Sequence, residues 1–96
     1  MMGPHDQILA LNLAELARDV AAWHADRWST ASDALVGLKL CEETGEVADA
    51  IAKGGDVLGE CADVILVALA VAARFGSPDE IAERTVSKLR RNAASG

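Results

Sequence analysis

The stretch Lys39–Asp63, KLCEETGEVADAIAKGGDVLGECAD, decides how this chain is read. It holds Glu42, Glu43 and Glu46, a Gly54–Gly55 break, and then Glu60 and Asp63. Glu43/Glu46 and Glu60/Asp63 are i, i+3 pairs, a spacing that sets two side chains on one face of a helix. Two helices joined at a glycine pair fold back as an antiparallel hairpin, so heights above the turn can be compared. From the midpoint of the glycines, Glu46 and Asp63 stand equally far out, 8.5 residues each. Glu43 lies one turn beyond that level and Glu60 one turn below it. At about 1.5 Å of rise per residue, the four carboxylates fit within a layer of roughly 9 Å. Converging carboxylates repel one another unless a cation sits between them.

The rest of the composition agrees with a helical setting. The 96 residues are 51% hydrophobic but only 3% aromatic, so the core is aliphatic and alanine-rich, which suits close helix packing and not a sheet. A single all-α domain over residues 1–96 is expected, with a loose leader at 1–6 and a frayed tail at 93–96. So small a helical protomer, with this much apolar surface, is expected to complete its core by self-association. Nine basic against fifteen acidic residues give a net charge of −6, and no basic patch suited to a nucleic-acid polymer is visible. Cys41 and Cys61 form neither a CxxC pair nor a framework, which fits reduced thiols in a cytoplasmic protein. No secretion signal is apparent, and the longest apolar run, Val64–Ala73, is too short to cross a bilayer.

Around the acidic stretch, periodicity predicts three further boundaries. Leu9, Leu13, Leu16, Val20 and Trp23 form one stripe of a first helix over about 7–27. Ser29, Thr30 or Ser32 is placed to cap a second helix over about 33–53, whose apolar side gathers Val36, Leu40, Val47 and Ile51, with Glu43 at the border. A third helix over about 56–75 reads VILVALAVAA after Asp63, apolar all round, which predicts burial against its own chain or a partner. Gly76 is suited to end it in a left-handed conformation. Ser77-Pro78-Asp79-Glu80 then reads as a capping box opening a fourth helix, with Ile81, Ala82, Thr85 and Leu89 as its packing face.

Glu60 and Asp63 project from the N-terminal half of this helix, on the side of Val64, Val67 and Val71, where unpaired carboxylates are costly. Lys39, Lys53 and Arg74 are too few and too scattered to neutralise five acids, which leaves a metal as the economical counter-charge. All the donors are oxygens, favouring Mg²⁺, with Mn²⁺ as a substitute. His5 and His24 lie outside the hairpin and cannot supply the Glu-x-x-His pairs of a di-iron bundle. Hard metal on carboxylates points to hydrolysis of a phosphate ester or anhydride, without choosing the phosphate.

Glu42-Glu43-x-x-Glu46, thirteen residues, then Glu60-x-x-Asp63 resembles the EExxE…ExxD signature of the MazG-like nucleoside triphosphate pyrophosphohydrolases. The likeness extends through the ECADVILVALAVAARFG helix to Lys88-x-x-x-Asn92, and back to Trp23 on the first helix. The resemblance implies an all-α protomer assembling as a dimer or tetramer. It implies Mg²⁺-dependent cleavage between the α and β phosphates to a nucleoside monophosphate and pyrophosphate. By position, Glu43, Glu46, Glu60 and Asp63 would be metal ligands, and Glu42 would assist on a second metal or as the base that orients water. Lys88 and Asn92 match positions associated with the triphosphate and nucleotide, Trp23, His24 and Trp28 fall where related proteins build a base pocket, and Lys53 could reach a phosphate. Plainer readings stand beside these: core packing for Trp23, a solvated basic face for Lys88 and Arg91, a solvated helix end for Lys53. The short linker leaves no long loop to cover a substrate, and without tyrosine a base must stack on tryptophan, histidine or another subunit. Phosphoribosyl-ATP pyrophosphohydrolase and a non-catalytic oligomerisation module are the alternatives.

Overall fold

Local capping chemistry sets where each helix starts and stops. The computed structural model describes residues 2–95, which form α1 (Pro4–Arg27), α2 (Asp33–Lys53), α3 (Val57–Ala73) and α4 (Pro78–Ser95), with no strand among them. Of the three candidate caps for α2, Ser32 is used: its Oγ accepts from the Leu35 N–H at 3.1 Å. Gly54 ends α2 at φ 71°, the left-handed turn that lacks a penalty only for glycine. Asp56 then caps α3 by accepting from the Gly59 N–H at 3.0 Å. The capping box at α4 closes reciprocally, with Glu80 N–H donating to Ser77 Oγ at 3.1 Å and Ser77 N–H to Glu80 Oε1 at 3.0 Å. The Ser77 N–H bond to the carboxylate, and next the Ser77 hydroxyl beside it, favour the ionised Glu80 and hold its pKa below the ordinary value.

Three boundary expectations change. Residues 4–6 are the first turn of α1 and not a loose leader, because proline at the first helical position gives up no needed N–H and Asp6 pairs with Arg90 of α4 at 2.6 Å. Residues 93–95 continue α4, where Ser95 Oγ donates to the Arg91 carbonyl at 2.9 Å; Met1 and Gly96 lie outside the described residues. Gly76 does not adopt the left-handed conformation. Instead α3 tightens, Arg74 and Phe75 donating to the carbonyls three residues back, and Arg74 stays right-handed.

The helices pair as two hairpins. α2 packs on α3 alone, whereas α1 packs on α4 and on α3. Ala10 and Ala14 meet Ala82 and Val86, and Ala17 and Val20 meet Leu69 and Ala70, so the core is built of small side chains that let backbones approach. This rotates the expected faces. α1 buries Ala10, Ala14, Ala17, Val20 and His24 and leaves Leu16 and Trp23 outward; α4 buries Ala82 and Val86 and leaves Leu89 and Thr85 outward. α2 buries Val36, Glu43 and Ala50, each seven residues apart, and turns Ile51 to solvent.

The radius of gyration is 14.8 Å, against roughly 12–13 Å for a compact chain of this length, and the shortest extent is 19 Å, the thickness of two helices. Leu38 (66%), Leu58 (85%) and Ile65 on the α2–α3 hairpin are exposed, so within one chain α3 is not buried all round. The reason is topological: α2 packs on one side of α3 and α1 and α4 on another, and among the described residues no further helix covers what is left. Replacing the Ser77 cap (Ser77→Ala) is expected to cost about 1 kcal/mol. In a thermal melt that would read as a fall in Tm of about 4–8 °C for a domain of this size.

Candidate metal centre

The α2–α3 seam brings carboxylates together. Glu43, Glu60 and Asp63 each offer an oxygen, and these lie within 4.8 Å of one another. Glu43 is buried, at 7% exposure, because the Val36–Glu43–Ala50 spacing makes it part of the face α2 turns to α3. One of its oxygens accepts from Lys39 Nζ at 3.1 Å. The other, Oε2, is buried with no hydrogen-bond partner, and so is Oε2 of Glu60. Native proteins rarely leave such atoms unsatisfied. Among the described residues, Glu46, Glu60 and Asp63 have no ion pair. Two orphaned oxygens in a cluster of hard donors fit a divalent cation held by Glu43, Glu60 and Asp63.

Glu46 sits at the rim. It is exposed, and its pKa is raised, foremost by the charge of Glu43 and next by contact with Glu60. Sharing a helix turn with Glu43 put it at the right height, but its rotation around α2 keeps it outside the tightest group. Glu42 is also exposed, 3.7 Å from Lys39 Nζ. Lys39, which on sequence counted only as a nearby cation, enters the site directly. Its own pKa is raised, chiefly by the hydrogen bond to Glu43 and then by Glu42. The missed signal was its i, i+4 spacing from Glu43, which lays an ammonium beside that carboxylate.

A cavity of about 190 Å³ extends from the acids towards α1. Lys39, Glu43 and Asp63 line one part, and Trp23, His24 and Trp28 another, with Val36, Leu66, Val67 and Ala70 between. Trp23 is therefore a wall and not core packing; it is 42% exposed, with the Arg27 guanidinium 5.7 Å from its ring. His24 and Trp28 lie nearly parallel, centroids 6.5 Å apart. His24 is buried and accepts a hydrogen bond from Arg74 Nε at 3.0 Å, so its imidazole is neutral with the proton on Nδ1. Burial, and then the Arg74 charge, lower its pKa.

Three sequence candidates stand elsewhere in this chain. Lys53 pairs with Asp49 at 3.0 Å at the hairpin tip. Lys88 borders a groove with Ala72, Phe75 and Arg84, and Ala72 is nine residues along α3 from Asp63, about 14 Å. Asn92 follows one turn further along α4, away from the cavity lining.

Asp63→Asn is expected to lower turnover at least about 100-fold, since even outer partners of a metal cost about 10–100-fold when lost. Asp49→Asn, on the same acidic hairpin but paired with Lys53, is expected to change it little. Equal losses in steady-state assays of folded variants would exclude Asp63 as a ligand. For His24 the native pKa lies below the unfolded 6.5, so its contribution to stability is complete above pH 6.5. As pH falls through that value towards the lowered native one, the unfolded chain takes up the proton first and the contribution is lost. Denaturant titrations across this window should show a smaller acid-side loss for His24→Gln than for the native chain.

A family model described as the MazG nucleotide pyrophosphohydrolase domain matches residues 32–93, more than half of the chain and all of the acidic hairpin. Among curated proteins and solved structures, none matches. The four helices, the acid cluster on the α2–α3 seam and this match together make the chain a member of the MazG nucleotide pyrophosphohydrolase family.

Proposed function

We propose that the protein hydrolyses nucleoside or deoxynucleoside triphosphates between the α and β phosphates, releasing a monophosphate and pyrophosphate. Removal of unwanted nucleotides from the cellular pool is the role this suits. The observation that carries the reading is one cavity joining two chemistries: the carboxylates of Glu43, which has an orphaned oxygen, and Asp63 at one side, and an aromatic wall of Trp23, His24 and Trp28 at the other. A polyphosphate carries charge that needs a cation among the acids, and a base offers a face that stacks on an indole or imidazole.

In this reading Glu43, Glu60 and Asp63 hold Mg²⁺, or Mn²⁺ in its place, and Glu46 joins them from the rim. An ion held there would supply positive charge to offset the charge that develops on the phosphate oxygens. Glu42, exposed beside this group, accepts the proton of the attacking water, whose oxygen bonds to the α phosphorus as the pyrophosphate leaves. Lys39 exchanges its Glu43 contact for a phosphate oxygen. His24 and Trp28 take the nucleoside end.

Lys88 and Asn92 act from a second copy of the chain. Two observations support this assembly. The exposed Leu38, Leu58 and Ile65 leave an apolar face on the hairpin, and about 190 Å³ falls below the roughly 300–1,000 Å³ of a complete small-molecule pocket. A dimer or tetramer would enlarge the site and cover the face.

The deciding measurement is a panel of NTPs and dNTPs with Mg²⁺, products separated by chromatography. Monophosphate and pyrophosphate are expected from at least one, abolished by EDTA and restored by Mn²⁺. Orthophosphate alone would overturn cleavage between the α and β phosphates. No release from any nucleotide, together with unchanged Mg²⁺ affinity in Glu46→Gln, would overturn the enzyme reading.

A further inference from the structure

Arg74 ends α3 on the side of α1 and α2 where these two helices do not pack on each other. Its side chain is largely buried, 17% exposed, and it spends four N–H bonds on one short stretch of chain. Nε donates to His24 Nε2 at 3.0 Å, Nη2 to the Trp28 carbonyl at 2.9 Å, and Nη1 to the Ala31 carbonyl at 2.7 Å and to Asp33 Oδ1 at 3.0 Å. Those four acceptors run from the last turn of α1, through the connection, to the first residue of α2. Asp33 is the carboxylate paired with this guanidinium; the other acceptors are uncharged.

His24 and Trp28 have two sides. One lines the cavity shared with Glu43 and Asp63; the other faces a groove beside Arg74. Nothing else in the hydrogen-bonding of the described residues ties the 28–33 connection to α3. We infer that Arg74 is a positioning residue for the nucleoside end of the substrate: it holds the imidazole and the second indole at the angle the cavity requires, without touching the substrate. The planar fork suits this task and a lysine does not, because one ammonium on a flexible stem cannot span four acceptors spread over ten residues.

The inference rests on the nucleotide reading, and the experiment separates the two. Native protein, Arg74→Lys, Arg74→Met and Asp33→Asn are compared in melting temperature, in kcat and KM for the best nucleotide of the panel, and in inhibition by inorganic pyrophosphate. Pyrophosphate has no nucleoside and reports on the acid end alone. For folded Arg74→Lys, KM is expected to rise about tenfold or more while kcat changes by less than about threefold, the pattern of lost substrate positioning and intact chemistry. Pyrophosphate inhibition should stay within about twofold of native, and Asp33→Asn, which weakens one anchor, should raise KM in the same direction by less. If Arg74→Met does not fold, Arg74→Lys and Asp33→Asn decide. An unchanged KM in both would overturn the inference and leave the nucleotide reading standing, as would a parallel loss of kcat and pyrophosphate binding, which marks a general structural role. A native protein that cleaves no nucleotide would overturn both.

Discussion

Glu43 must be buried for α2 to pack at all. Val36, Glu43 and Ala50 recur every seven residues and form the face by which α2 rests on α3, its one neighbour in the chain. A carboxylate on such a seam needs compensation, and Lys39 satisfies only one of its oxygens. Glu60 brings a second orphaned oxygen to the same place from α3. The hairpin therefore folds around a charge it cannot neutralise with its own side chains. A stable domain tolerates a buried charge of this kind when a ligand completes it, the part a divalent cation takes in the proposed function.

α3 links that charge to the rest of the molecule. Its N-terminal half carries Glu60 and Asp63, its middle packs Leu69 and Ala70 on α1, and its C-terminal end carries Arg74. Acids and aromatic wall thus belong to different hairpins, and their separation is set by one helix. Because α1 and α2 do not meet, the space between them stays open as the cavity, with Val36, Leu66, Val67 and Ala70 as its apolar floor. The family match starts at residue 32, so it takes in the acids and leaves out Trp23, His24 and Trp28. The wall that would meet a base is carried by the part of this chain that lies outside the match.

The flat shape follows from the same arrangement. Two hairpins joined along α3 form a slab 19 Å thick, with large apolar side chains on the uncovered face and alanines at the internal contacts. Neither Lys88 nor Asn92 lines the cavity of its own chain, and the cavity itself is small. Self-association would resolve both facts at once, since the interface it creates is apolar and the site it enlarges is short of walls.

What the sequence determined alone was local. Ser32, Gly54 and the Ser77–Glu80 box act within four residues of themselves, so helix number, the helix ends they cap and the hairpin at Gly54–Gly55 could be read from residue order. The i, i+3 carboxylate pairs were legible for the same reason. Only the tertiary structure decided which face each helix buries. Leu16, Ile51 and Leu89 lost to Ala17, Ala50 and Val86, because close helix approach rewards small side chains and depends on the neighbour, which periodicity does not contain. Rotation placed Glu43 inside and Glu46 on the rim, although both stood at suitable heights. Arg74 was invisible as a clamp, since its partners lie 41 to 50 residues away in the chain and a guanidinium recognises acceptors by their arrangement in space.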